Sequence, residues 1–335
     1  MRAIILNSHG GVDALGYVEN FPDPECGKDD VVVRVKSTSL NYHDIFTRNG
    51  MPGIKISMPM ICGLDVAGEI AEIGANVSGW KIGERVLIDP RNRVEGGLVG
   101  ETIHGGLAEY CRVKEHQLVR IPDGVSFDQA SSLPVAYGTA HRMMMTIGQV
   151  TSGDKILILG ASGGVGTGAL LLAKMAGAEV VVCASSDSKM EKLKSLGADH
   201  ARTYLNNEFH KGVYELYGQP GRRGFEGGVT MVVNFTGGDT WVPSLRSFKR
   251  GGKLLTCGAT AGFDPKTDIR FIWTFELKLL GSNSWERDDL EQLMKYIRDG
   301  KMEPVIDKKL PLKETREGIR LLEEREVFGK VVINP

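Results

Sequence analysis

The spacing of apolar residues divides this chain into two kinds of pattern. Up to about residue 125 they fall in short runs that stop at turn residues. Val31–Lys36, Asp65–Gly74, Gly83–Ile88 and Ala108–Val113 read as strands, with glycine or polar clusters between them. Met1–Asn7 reads as a first strand, because its apolar run is too short for the core of a signal peptide. From Ser131 onward strands alternate with helical stretches, which predicts a parallel sheet with crossover helices. The strands are Ile156–Leu159, Glu179–Ala184, Val229–Phe235 and Gly252–Cys257; the helices are Ala130–Met145, Gly168–Met175 and Ser188–Leu196. After about residue 265 the alternation fades into an edge strand (Leu277–Ser282), a helix (Asp288–Asp299) and a closing strand (Lys330–Ile333). The expected fold class is α/β, a doubly wound parallel sheet joined to a β-rich domain, with no internal repeat and no low-complexity linker.

Composition adds boundaries to this picture. The 335 residues leave room for two domains, and 41% hydrophobic with 25% charged residues is ordinary for a globular protein. A net charge of −1 argues against general nucleic-acid binding, which favours a basic excess. No apolar run approaches the roughly 20 residues that span a bilayer. The five cysteines (Cys26, Cys62, Cys111, Cys183, Cys257) are dispersed and form no CxxC pair, which predicts reduced thiols and a cytoplasmic location.

The most specific chemistry lies at Lys155–Gly166. A short apolar strand turns through Gly160, Gly163, Gly164 and Gly166 into the apolar helical run Ala169–Ala173, and Glu179–Ala184 follows at the spacing of a βαβ unit. Such a turn lets backbone N–H groups approach a pyrophosphate while the helix dipole faces the same anion. The flanking strand, helix and strand are the context that makes this a dinucleotide site.

Ordered motifs run through nearly the whole chain. They include Leu40-Asn41-Tyr42-His43-Asp44, Gly63-Leu64-Asp65-Val66-Ala67-Gly68-Glu69, Gly79-Trp80-Lys81-Ile82-Gly83-Glu84-Arg85-Val86 and Gly105-Gly106-Leu107-Ala108-Glu109-Tyr110. Leu133–Ala140, the glycine turn, Leu196-Gly197-Ala198-Asp199, Gly251-Gly252-Lys253 and Phe328-Gly329-Lys330-Val331-Val332 complete them. Together they resemble the medium-chain dehydrogenase/reductase superfamily, and within it the zinc-independent quinone oxidoreductase-like branch. The resemblance implies a GroES-like catalytic domain over residues 1–128 and a Rossmann NADP-binding domain over 129–265. Residues 266–335 would supply an edge strand and the return to the catalytic domain, with the active cleft between domains.

Aligned on those motifs, the places of the catalytic zinc ligands hold Asn41, Leu64, Asp65 and Val135. Leu64 and Val135 cannot ligate a metal, and Asn41 is a poor substitute for a thiolate. Pro90–His104 lacks the cysteines of a structural zinc lobe, and His43, Cys62 and Asp65 lack metal-site spacing, so no metal is expected. NAD-specific domains usually end the second strand in an acid that bonds the ribose. Here that place is Ala184, followed by Ser185 and Ser186. With Lys189 these suit a 2′-phosphate, and NADPH is the expected cofactor. Asp187 keeps NADH open through a shift of register. By resemblance, Tyr204 stands against the adenine phosphate and Thr139 packs on the nicotinamide. Gly160, Ser162, Gly163, Gly164, Val165 and Gly166 would hold the pyrophosphate, and Gly258, Ala259, Gly329 and Lys330 would also border the cofactor.

The expected reaction is hydride transfer to a quinone or to a C=C bond conjugated to a carbonyl, with donors needed for the developing negative charge. Asn41, Tyr42 and His43 are the candidate catalytic residues, His43 because an unperturbed imidazole donates a proton near neutrality. The alternative for His43 is a hydrogen bond to a backbone carbonyl. Phe46, Met51, Tyr137 and Trp285 are candidates for the substrate pocket. An enoyl- or acryloyl-thioester reductase, an NADPH-binding sensor or structural protein, and an alcohol dehydrogenase are the competing readings. A homodimer joined through edge strands near Leu277–Asn283 follows by analogy with the family.

Overall fold

The computed structural model describes residues 1–204 and 207–335 and divides into Met1–Ala136 with Glu286–Pro335, and Tyr137–Trp285. The family resemblance sets limits near residues 128 and 265, whereas the units part after Ala136 and after Trp285. The later second limit has a plain cause: strand Lys278–Gly281 pairs in parallel with Phe248–Thr256 and so belongs to the parallel sheet.

In the first unit the ten-residue strand Asp30–Ser39 is the spine of a seven-stranded sheet. It pairs antiparallel with Asp65–Ile73, Tyr110–Lys114 and the closing strand Lys330–Asn334. Alternation along it buries Val31, Val33 and Val35 against Val66, Val86 and Ile88. Each such side chain contributes about 2 kcal/mol of burial. A second core gathers Ile4, Leu6, Leu40, Ile45 and Ile319 around the three-stranded sheet formed by Leu15–Val18, Ala3–Leu6 and Met60–Ile61. Against it lies helix Tyr42–Asn49, whose last turn is fixed by the buried Arg48. Its guanidinium clasps Glu323 with two bonds of 2.9 and 2.5 Å.

The second unit is a six-stranded parallel sheet in the order His200–Thr203, Glu179–Ala184, Lys155–Ile158, Val229–Val233, Phe248–Thr256 and Lys278–Gly281. The middle strands are buried on both faces, hence their continuous valine, isoleucine and leucine runs. The order reverses beside Lys155–Ile158, and in open sheets of this kind ligands bind beyond the carboxyl ends of the strands at that point.

The helix expected over residues 130–145 is instead a composite: an α-turn at Phe127–Ser131, then π-type turns at Leu133–Gly138 and Arg142–Gly148 around Thr139–His141. Ser131 and Ser132 hydroxyls bond back to the Asp128 carbonyl at 3.2 and 2.8 Å, and Pro134 has no N–H to give, so regular α bonding gives way there. Among the described residues no helix is long and apolar enough to cross a membrane.

Candidate active site

In the first unit a buried polar cluster forms at the start of helix Tyr42–Asn49. Asp44, three residues after Asn41, turns its carboxylate back to accept from the Asn41 N–H (2.8 Å) and from the Gly63 N–H (3.1 Å). Because Asp44 serves the backbone there, the Asn41 side chain is released inward. Its Nδ2 donates to Asp65 Oδ2 (2.7 Å) and to the Ser39 carbonyl (3.3 Å), and its Oδ1 accepts from Lys330 Nζ (2.5 Å). Lys330, only 2% exposed, spends its other bonds on the Leu40 carbonyl (2.9 Å) and Asp65 Oδ2 (3.2 Å). Asp65 also accepts from the Ser39 hydroxyl (2.8 Å) and the Val135 N–H (3.0 Å). A buried ammonium thus meets three acceptors, the condition under which such a charge is tolerated.

This cluster does not fit the zinc that relatives of the resembled family hold. Leu64 and the Val135 side chain offer no lone pair, and the Lys330 ammonium stands against the two polar groups that remain. Among the described residues no group of three His, Cys, Asp or Glu is arranged to hold a metal ion.

In the first turn of the same helix, His43 Nε2 lies 2.7 Å from Glu101 Oε2. The Glu101 side chain is 9% exposed and that of His43 26%. Burial alone would favour a neutral ring, yet the Glu101 bond and the negative charges of Asp44 and Asp65 outweigh it, so His43 titrates above an ordinary histidine. Asp44 itself is pushed up to about 6 by burial, against the pull of the Asn41 N–H. Tyr42 and Phe46 meet edge to face at 5.3 Å; Phe46 is exposed and Met51 half-buried.

In the second unit the glycine turn has the geometry of a phosphate cradle. Gly160 adopts φ +63°, and a Cβ on Gly166 would stand 2.3 Å from the Gly160 carbonyl oxygen. Helix Gly164–Met175 starts there with no side chain capping its first turn, so its leading N–H groups are left for a ligand. These residues fit a dinucleotide, with half-buried Ser162, Gly163, Gly164 and Val165 at the mouth of the turn. Thr167 locks the turn by bonding the Gly163 and Gly164 carbonyls (3.1 and 3.0 Å) and meeting the Tyr137 hydroxyl at 3.2 Å. Tyr137 is fully buried, while Thr139 and Trp285 are 8% and 3% exposed.

At the end of strand Glu179–Ala184, Ser185 is half-buried and Ser186 exposed; Ser186 Oγ accepts from the Lys189 N–H at 3.3 Å. Tyr204 follows the neighbouring strand and packs on the core of this unit. Gly258 and Ala259 open a loop that lies on the turn after Val229–Val233, through Thr260 N to Phe235 O (3.2 Å) and Ala261 N to Thr236 O (2.7 Å). Gly329 immediately precedes the buried Lys330 in the first unit.

Sequence reasoning missed two supporting residues. Glu101 sits in a glycine-rich loop whose pattern carries no signal. Asn234 is fully buried and binds the N–H groups of Thr236 and Gly237 (2.9 and 3.0 Å). An asparagine just after an apolar strand, leading into Phe-Thr-Gly-Gly, is the turn signal that could have found it.

The chain matches family models for the alcohol dehydrogenase GroES-like domain over residues 27–123 and for the zinc-binding dehydrogenase domain over residues 164–299. It is 30% identical to an acryloyl-coenzyme A reductase of Sulfurisphaera tokodaii, over 96% of this chain and 97% of that protein. It is 32% identical to a chloroplastic NADPH-dependent alkenal/one oxidoreductase of Arabidopsis thaliana, over 100% of this chain and 80% of that protein. The crystal structure of an NAD-dependent alcohol dehydrogenase superposes with a TM-score of 0.91 at 32% identity, covering all of both chains.

Proposed function

We propose, for a chain that belongs to the medium-chain dehydrogenase/reductase superfamily, that this oxidoreductase uses NADPH without zinc to reduce a quinone or a C=C bond conjugated to a carbonyl. The observation that carries the reading is the Asn41–Asp65–Lys330 cluster. There an ammonium, bonded to an amide and a carboxylate, takes up the two polar groups a metal would need, which supports a reading without a Lewis acid to activate an alcohol. The cluster suits a reaction that needs only a hydride and a proton.

Bound NADPH would supply the hydride. The glycine turn and the open N-terminus of Gly164–Met175 would hold its pyrophosphate. Ser185, Ser186, Lys189 and Tyr204 would border its adenosine 2′-phosphate, and no acid stands at the strand end to reject that phosphate. Thr139, Gly258 and Ala259 would border the nicotinamide end. Asn41, held on both sides of its amide, would keep the start of the Tyr42–Asn49 helix in place. His43 would donate the proton, with Tyr42, Phe46 and Met51 lining the substrate; Tyr137, Trp285, Gly329 and Lys330 would act from buried positions.

The acryloyl-coenzyme A reductase relative, matched over nearly its full length, favours a second reading in which the conjugated carbonyl is a thioester. The test is oxidation of NADPH and of NADH by purified protein with a panel of 2-alkenals, enones, quinones and short enoyl thioesters. NADPH-preferring turnover that survives prolonged chelation supports the proposal, and the best acceptor chooses between its two forms. A requirement for zinc, or turnover of simple alcohols alone, overturns it.

A further inference from the structure

The loop between strands Arg85–Ile88 and Tyr110–Lys114 is more ordered than its composition suggests. Bridges pair Arg91 with Leu98 and Val99 with Ile103, and the turn between is closed by Gly100 N to Ile103 O (2.7 Å) and Glu101 N to Leu98 O (3.1 Å). The Thr102 hydroxyl accepts from the Leu98 N–H at 2.8 Å. Between the bridged residues Arg91 and Ile103 one acidic side chain, Glu101, is buried. Among the described residues the only polar partner of that carboxylate is His43, at 2.7 Å. A carboxylate 9% exposed with one partner is costly unless the partner is a cation. The pair is therefore most stable as imidazolium and carboxylate.

Resting on the reductase reading above, we infer that Glu101 is the positioning residue for proton delivery: it grips His43 by Nε2 and so leaves Nδ1 as the atom that donates. Nδ1 has no partner among the described residues, and the His43 side chain keeps 26% of its surface, enough to be reloaded by water. The step balances simply. Hydride addition to the β-carbon leaves an enolate; a new C–H bond forms at the α-carbon as the Nδ1–H bond breaks. The ring becomes neutral imidazole, still donating Nε2–H to Glu101, and takes its next proton from solvent. Three negative groups face His43: Glu101 from the loop, Asp44 from its own helix and Asp65 from strand Asp65–Ile73. Of these only Glu101 touches the ring, so only its neutralisation should disturb both charge and orientation.

The test compares wild type with Glu101→Gln and Glu101→Asp, with two readouts. The first is the titration of the His43 ring by NMR in the free protein. The second is the pH profile of kcat with the best acceptor. Glu101→Gln is expected to lower the His43 midpoint and to move the alkaline limb of kcat down by about one pH unit. That is about a tenfold loss on the alkaline side, with NADPH affinity unchanged. Glu101→Asp should recover part of both. An unmoved NMR midpoint in Glu101→Gln overturns the pairing, and a moved midpoint with an unmoved kcat limb overturns the proton-delivery role. If no acceptor is turned over while the midpoint still falls, the reductase reading and proton delivery fail together, and the pairing of charge stands.

Discussion

At the scale of single residues, the first unit places charge where hydrophobic packing would be cheaper. Lys330 and Asp65 are 2% and 0% exposed, so removing the ammonium strands a carboxylate. Lys330→Met should cost about 3–5 kcal/mol in denaturant unfolding, against under 1 kcal/mol if the pair were dispensable. Asp44 gives a signed pH dependence. Its carboxyl is pushed up to about 6, above its ordinary 3.8, so the folded chain keeps a proton that the unfolded chain releases between those values. Its contribution therefore falls as pH rises through that window and levels off above it. Relative to Asp44→Asn, the wild type should lose about 2 kcal/mol between pH 4 and 7, measured as the difference between their unfolding free energies. A constant difference across that range would contradict this origin. Asn41, His43 and Lys330 were legible as candidates because each lies in a motif. Their partners were not: pairing Lys330 with Asn41 spans 289 residues, a closure that only the sheet performs.

At the scale of elements, the glycine turn is the part of the chain that local sequence specifies best, because steric room there depends on near neighbours. Gly166→Val would drive side-chain atoms into the Gly160 carbonyl and should abolish NADPH binding in a fluorescence titration. Binding within threefold of wild type would remove the turn from the cofactor site. The proposed preference for NADPH rests on the next strand end. Lys189→Ala should weaken NADPH by about tenfold and leave NADH almost unchanged, since only the former carries the extra phosphate. Equal losses for both would assign Lys189 a structural role instead. Five of the six strands of the parallel sheet were readable from their apolar runs, and helix Arg287–Arg298 from its periodicity, whereas the polar edge strand His200–Thr203 has no such run and was missed. Helix Tyr42–Asn49 was not: five of its eight side chains are polar or charged, and its place is fixed by Asp44 and the distant Glu323. The composite run after Phe127 likewise escaped because serine back-bonding and proline act on backbone bonds, which apolar spacing does not register.

At the scale of the whole molecule, strand Lys278–Gly281 is an unpaired edge of the six-stranded sheet with Leu279 40% exposed, and helix Ile269–Thr274 beside it exposes Ile269 and Trp273. The proposed homodimer would cover this edge. The protein should sediment at twice the 36.5 kDa of one chain, and Leu279→Asp should shift it toward monomer; a monomeric wild type would refute the pairing. Two-domain architecture was legible because ordered motifs run along the full chain, whereas unit limits depended on which sheet the late strand Lys278–Gly281 joined. The proposed reaction is the metal-free addition of a hydride and a proton across a conjugated C=C bond. Its most direct test reduces an enone with hydride-labelled [4-²H]NADPH in H₂O, and with unlabelled NADPH in D₂O, using protein dialysed against a chelator. Cofactor deuterium should appear at the β-carbon and solvent deuterium at the α-carbon. Cofactor label at the carbonyl carbon, or no product until zinc is restored, would contradict it.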